Sequence, residues 1–293
     1  MFDVVIPVYK TEPKHLREAI DSVLNQSYEE FQIYISDGTP LEHEWHSQKI
    51  LKDYDDPRLH ILQQEGKGVS NARNQAGQRG INPYIATLDS DDTWFELKLE
   101  YCSQLIENFS DTKLIWGESQ IQAELISPKG ECHSITSFGG VLKGWDKTLP
   151  QHRGFRVLWT PLMTSTQIYS RKIMEEVGWW DETLFWGEDT DLNVKILESY
   201  PHDCIQIEAS VGTYRVHQAQ TTKGGATHGL AEGFFIKERP DTFENMIQHL
   251  KQNEPNIDAP YWDWLTSVMN EERNSGATER IQYSMLSGGR SYV

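Results

Sequence analysis

Tyr84-Ile85-Ala86-Thr87-Leu88-Asp89-Ser90-Asp91-Asp92 is a short apolar run that ends abruptly in three carboxylates. Such a run predicts a buried strand. Acids crowded at the end of a strand repel one another unless a cation or hydrogen-bond donors compensate them. Hard oxygen ligands with room for substrate phosphates suit Mn²⁺ or Mg²⁺. The alternative is a cap: Asp91 or Asp92 would serve a helix beginning at Thr93.

Upstream, Phe2-Asp3-Val4-Val5-Ile6-Pro7-Val8 reads as a first strand, residues 15–24 as an amphipathic helix, and Phe31-Gln32-Ile33-Tyr34-Ile35 as a second strand closed by Ser36-Asp37-Gly38. Residues 59–62 predict a third strand and residues 69–79 a helix. This βαβ order implies an α/β fold with a mainly parallel central sheet flanked by helices. Ligands collect at the carboxyl ends of such strands, where Asp37 and Asp89 fall. Downstream, residues 114–126 and 165–170 read as strands, and 171–177 and 189–198 as helices. The Gly-, Ser- and Pro-containing stretch through residues 144–150 is expected to be a loop near the site. The α/β domain is placed at 1–220, with 221–293 as a small C-terminal helical extension carrying helix candidates at 241–252 and 261–272 and a frayed tail.

The chain of 293 residues carries a formal net charge of −17, which argues against nucleic acid as a partner because phosphate binding needs clustered Lys and Arg. Three cysteines without paired spacing read as ordinary thiols. Without a membrane-length apolar run or a signal-peptide pattern, the expected setting is the cytoplasm, with at most peripheral association at the inner face of the membrane. Tyr261-Trp262-Asp263-Trp264-Leu265 is the candidate for that contact, a packing helix being its plainer reading. Self-association is left open.

Several other residues are candidates, each beside a structural alternative. Asp37 could accept hydrogen bonds from a base or ribose, or form a turn before Gly38. Arg73 lies in the glycine-led helix entry at 67–74, which suits phosphate or base recognition and equally an ordinary solvated helix. Asp189 opens a helix in Gly187-Glu188-Asp189-Thr190-Asp191-Leu192 and could take a proton from an incoming hydroxyl, or merely complement the helix dipole. Trp179 and Trp180 fit either a sugar-stacking platform or the core. His217, in Tyr214-Arg215-Val216-His217, could ligate a metal or contact a diphosphate.

Together, residues 5–9, 36–39, 68–74, 89–92, 178–182, 187–192 and 214–217 resemble, in order, family 2 of the inverting glycosyltransferases, whose nucleotide-sugar-binding fold is called GT-A. The resemblance implies that Pro7, Tyr9, Glu12, Asp37 and Arg73 line the nucleoside pocket, with Asp37 on the uracil ring, and that Ser90 and Glu188 belong to the donor site. It implies that Asp89 touches ribose, that Asp91 holds the metal of the DxD motif with His217 beside it, and that Asp189 is the base. Trp179 and Trp180 would face the acceptor. The expected activity is transfer of a hexose or N-acetylhexosamine from a UDP-sugar donor to a glycan or lipid-linked saccharide acceptor in cell-surface polysaccharide biosynthesis. Rival readings are a sugar-nucleotide pyrophosphorylase or other nucleotidyltransferase, and a non-catalytic glycan-binding protein on the same fold. The family's usual asparagine after the first Tyr is here Lys10.

Overall fold

The computed structural model describes residues 1–126, 132–139, 162–184 and 187–217. The expected loop at 144–150 and the extension at 221–293, with both helix candidates, lie outside the described residues.

Among the described residues, nine strands form one sheet. Its first half is parallel: β3 (Leu59–Gln63), β2 (Phe31–Asp37), β1 (Phe2–Val8) and β4 (Tyr84–Thr87) lie side by side. Helices α1 (Pro13–Leu24), α2 (Ser47–Ile50) and α3 (Gly68–Arg79) connect these strands. The second half is mixed. β8 (Ile168–Ser170) runs antiparallel between β4 and β6 (Leu114–Ile126), β9 (Cys204–Val216) runs parallel to β6, and β5 (Thr93–Trp94) and β7 (Cys132–Gly139) add antiparallel pairs. α4 (Lys98–Asn108), α5 (Arg171–Val177) and α6 (Glu188–Ser199) complete the order. The helix expected from Thr93 is not there: Thr93 and Trp94 pair with Thr213 and Gly212, and the helix starts at Lys98.

Strand alternation sends side chains to opposite faces and divides the core in two. Phe2, Val4, Ile6 and Val8 pack with Leu16, Ile20 and Val23 of α1 and with Leu99, Cys102 and Ile106 of α4. Val5 and Ile85 meet Ala76 of α3, Ile173 and Met174 of α5, and Leu192, Ile196 and Leu197 of α6 on the other face. Helices on both faces of a largely parallel sheet leave its strand ends as the open edge. Pro7 shapes that edge. The β1–β4 ladder ends at Val5 with Thr87, and Leu88 donates to the Val5 carbonyl. Two residues on, Pro7 points the same way and has no N–H to extend the ladder.

Lys98 is an unusual member of this core. It is 2% exposed, its Nζ donates to the Ser165 carbonyl at 2.8 Å, and the ammonium sits 3.7 Å from the centre of the Trp94 ring. Burial lowers its pKa to about 7. A folded value below the unfolded one means that the native state binds fewer protons between the two. The cost of charging is therefore fully present below about pH 7 and is relieved as pH rises toward the unfolded lysine range. Lys98→Met removes this titration. In urea denaturation the stability of the variant relative to wild type should be greatest at pH 6 and should fall by about 1–3 kcal/mol by pH 9. A difference that does not change with pH would contradict the assignment.

Candidate functional site at the strand ends

The site is built around one buried cation. Arg73, 4% exposed on α3, donates through Nη1 to Glu188 Oε1 at 2.7 Å and through Nη2 to Asp89 Oδ1 at 2.8 Å. Burial opposes its charge, but Asp89 and Glu188 outweigh that penalty and hold the guanidinium firmly protonated. On the acidic side, burial and the neighbouring Asp189 push Glu188 up to about 7 against the pull of Arg73. One cation thus faces Asp89, Glu188 and Asp189. The surplus negative charge favours a further cation or a retained proton.

Asp91 and His217 come together as expected, with His217 Nε2 2.9 Å from Asp91 Oδ2. Both are partly open, at 24% and 19% side-chain exposure, so they can offer a carboxylate oxygen and an imidazole nitrogen to an ion whose other ligands are water and phosphate. No group of three or more His, Cys, Asp or Glu among the described residues has the geometry to hold an ion unaided.

Asp92 makes this pair by acting at a distance from it. It does not cap a helix. Fully buried, it accepts from Ser165 Oγ at 2.5 Å and from the Arg215 backbone N–H at 2.8 Å, and so pins the end of β9 two residues before His217. Burial, then the charges of Asp91 and Asp89, push its pKa well up. Ser165 Oγ also accepts the Asp89 backbone N–H at 3.0 Å. Ser165 belongs to the 3₁₀ turn Thr164–Thr166, whose Thr164 Oγ1 donates to Asp189 Oδ2 at 3.0 Å. Sequence reasoning took residue 165 as the start of a strand and missed this turn. The run of hydroxyls Thr164-Ser165-Thr166 was the available signal. It also missed His15, whose ring lies 4.9 Å from that of His217 and whose pKa is lowered chiefly by burial, then by Arg215 and His217.

Along the opposite lip, Tyr9 is 65% exposed, and its ring borders Gly38, where an added Cβ would lie 2.3 Å from Gln64 Oε1 and 3.5 Å from Tyr9 Cδ2. Ser90 pairs with Thr11 across 2.6 Å, and the Lys10 N–H donates to Thr39 Oγ1. Glu12 is exposed, with Oε2 3.7 Å from His15 Nδ1. Asp37 is fully buried at the end of β2 and accepts backbone N–H groups from Thr39 and Ser47 at 2.7 Å each. In this conformation it does the work of a turn.

The aromatic pair needs correction. Trp180 is 1% exposed, packs edge-on against Tyr169 at 5.6 Å, and exchanges backbone hydrogen bonds with the Asn74 side chain, so it cannot stack on a sugar. It is a core residue. Trp179 lies so close over α3 that an added Cβ at Gly77 would meet its ring at 2.7 Å.

Residues 3–116 match the family described as glycosyl transferase family 2. Over that segment the chain is similar to glycosyl transferase family 2. The family likeness continues in single proteins. A putative teichuronic acid biosynthesis glycosyltransferase, TuaG of Bacillus subtilis (strain 168), is 33% identical over 103 residues, 34% of this chain and 39% of that protein. An uncharacterized glycosyltransferase of Rickettsia prowazekii (strain Madrid E) is 24% identical over 259 residues, 87% of this chain and 74% of its own. The chain spans between 13% and 40% of the length of TuaG and five other relatives that it matches. S. aureus TarS 1-349 in complex with UDP-GlcNAc shares the fold, with a TM-score of 0.65 and 15% identity over 97% of this chain and 75% of that one. The arrangement is the GT-A fold. No helix among the described residues is long and apolar enough to cross a membrane.

If Asp92 secures this edge, Asp92→Ala strands two donors and should cost about 1–3 kcal/mol in urea denaturation. Asp92→Asn keeps an acceptor for Arg215 and should cost less. Equal losses in the two variants would show that the carboxylate position does not matter.

Proposed function

We propose that this chain is an inverting, metal-dependent family 2 glycosyltransferase that moves a hexose or N-acetylhexosamine from a UDP-sugar to a cell-surface glycan or lipid-linked saccharide. The observation that carries the reading is the pairing of two constellations on one strand-end edge: Asp91 with His217, and Arg73 with Asp89, Glu188 and neighbouring Asp189. The complex of S. aureus TarS with UDP-GlcNAc supports a nucleotide-sugar donor for this fold. The family match counts against the pyrophosphorylase reading.

Asp189 is the base. It is half-buried, opens α6, and has its two oxygens oriented by separate donors. As the acceptor oxygen forms its bond to the anomeric carbon, its proton passes to the Asp189 carboxylate. The bond from that carbon to the diphosphate oxygen breaks on the opposite face, its electron pair leaving with UDP, and a single displacement inverts the centre. Mn²⁺ or Mg²⁺, held by Asp91 and His217, would supply Lewis-acid stabilisation of the charge that develops on the diphosphate. Tyr9 offers an exposed ring for the base beside Pro7 and Glu12, with Asp89 toward the ribose. Asp37 holds the loop beneath that pocket through Thr39 and Ser47.

Calorimetric titration of UDP, GDP, CDP and ADP, each with and without Mn²⁺, into wild type and Asp91→Asn tests the reading. UDP should bind in preference to the others, its affinity should depend on Mn²⁺, and the variant should lose at least tenfold, about 1.4 kcal/mol. Binding of no nucleotide, or UDP affinity indifferent to both metal and variant, would remove the donor and metal assignments.

A further inference from the structure

Thr164 stands outside every motif that pointed to the site, yet among the described residues it is the donor that reaches the proposed base from beyond the Asp189 helix. Its side chain is nearly buried, at 9% exposure, and its Oγ1 donates to Asp189 Oδ2 at 3.0 Å across 25 residues of sequence. The other oxygen, Oδ1, accepts the Thr190 N–H at 2.7 Å. These two bonds do different things. Thr190 is on the same helix as Asp189 and fixes the carboxylate only relative to α6. Thr164 ties it to the sheet.

The turn that carries Thr164 is itself anchored. Thr87 Oγ1 donates to the Thr164 carbonyl at 2.5 Å, and the Thr166 N–H closes the turn on the Met163 carbonyl at 2.9 Å. Trp94 Nε1 and Lys98 Nζ both donate to the Ser165 carbonyl, at 2.6 and 2.8 Å. Ser165 Oγ meets Asp92 and the Asp89 N–H. One three-residue turn therefore touches the loop of Asp91 with one hydroxyl and the Asp189 carboxylate with the next.

We propose that Thr164 is a positioning residue of the transfer, holding the Asp189 carboxylate in register with the Asp91 loop so that base and departing diphosphate lie on opposite faces of the anomeric carbon. The proposal rests on Asp189 being the base. Thr164 takes no proton and touches no substrate. A hydroxyl donates one hydrogen, and this one is spent on Oδ2, while an ionised carboxylate keeps further lone pairs for the acceptor proton. Losing the bond frees the carboxylate to rotate about its side-chain torsions, and small misplacements of a reacting group are costly in rate. Donor binding, which uses the other lip and the Asp91 loop, is untouched.

The test uses the full chain with Thr164→Val, Thr164→Ser and Asp189→Asn, on whichever of UDP-N-acetylglucosamine, UDP-glucose and UDP-galactose, with an oligosaccharide acceptor, gives the fastest UDP release. Thr164→Val keeps the shape and loses the donor, so kcat should fall about 10- to 100-fold with the donor KM, the UDP affinity and the unfolding midpoint unchanged. Thr164→Ser restores the donor and should recover most of the rate. The positioning role is overturned if Thr164→Val turns over at the wild-type rate while Asp189→Asn is inactive. It is also overturned if Thr164→Ser is as slow as Thr164→Val, or if UDP affinity and the unfolding midpoint fall together with kcat, which marks a structural residue. Should Asp189→Asn itself transfer at the wild-type rate, the base assignment fails and the Thr164 role falls with it.

Discussion

A buried guanidinium keeps its charge only if acids meet it, and Arg73 finds them on segments 16 and 115 residues away. That requirement joins the end of β4, helix α3 and the start of α6 at one point. Breaking such a group by removing one partner is strongly unfavourable, because the other is left buried and uncompensated. The arrangement also leaves more negative than positive charge at the strand ends. An edge of this kind has two ways to relax, a proton on Glu188 or a cation beside Asp91.

The parallel half of the fold was legible because its signals are local. Strand runs at residues 2–8, 31–35 and 84–88 and the helical spacing of Leu16, Ile20, Val23 and Leu24 each name their own element. The mixed half was not. β5 is two residues long, and its identity comes from pairing with Thr213 and Gly212, more than a hundred residues on. A strand of that size has no periodicity to detect, so a helix from Thr93 capped by Asp91 or Asp92 stood as the alternative to a metal site, whereas the helix starts at Lys98.

The site divides along the same line. Asp91, Asp89, Glu188 and Asp189 were read as strand-end or helix-start acids, Arg73 from its helix entry and His217 from the last strand, and the structure pairs Asp91 with His217 and Arg73 with Asp89 and Glu188. Trp180 was misplaced because exposure depends on what packs over it, here Tyr169 and the face of α3. The role of Asp92, read as a strand-end acid or a helix cap, and the part played by Ser165 escaped notice for a related reason: they work through each other and through backbone groups of Asp89 and Arg215, and none of those partners is near in sequence to both. What the sequence exposes is the chemistry of single positions. The hydrogen bonds that hold those positions at working distances belong to the fold.

The central claim is that one strand-end edge gathers the diphosphate at Asp91 and His217 while Asp189 faces the sugar. A crystal structure with UDP-N-acetylglucosamine and Mn²⁺, with the metal located by its anomalous scattering, tests this most directly. The account predicts the ion between Asp91 and the diphosphate, His217 in contact with one or the other, and Asp189 on the side of the anomeric carbon away from the phosphate. An ion bound elsewhere, or a nucleotide seated away from Asp91 and Arg73, would contradict it.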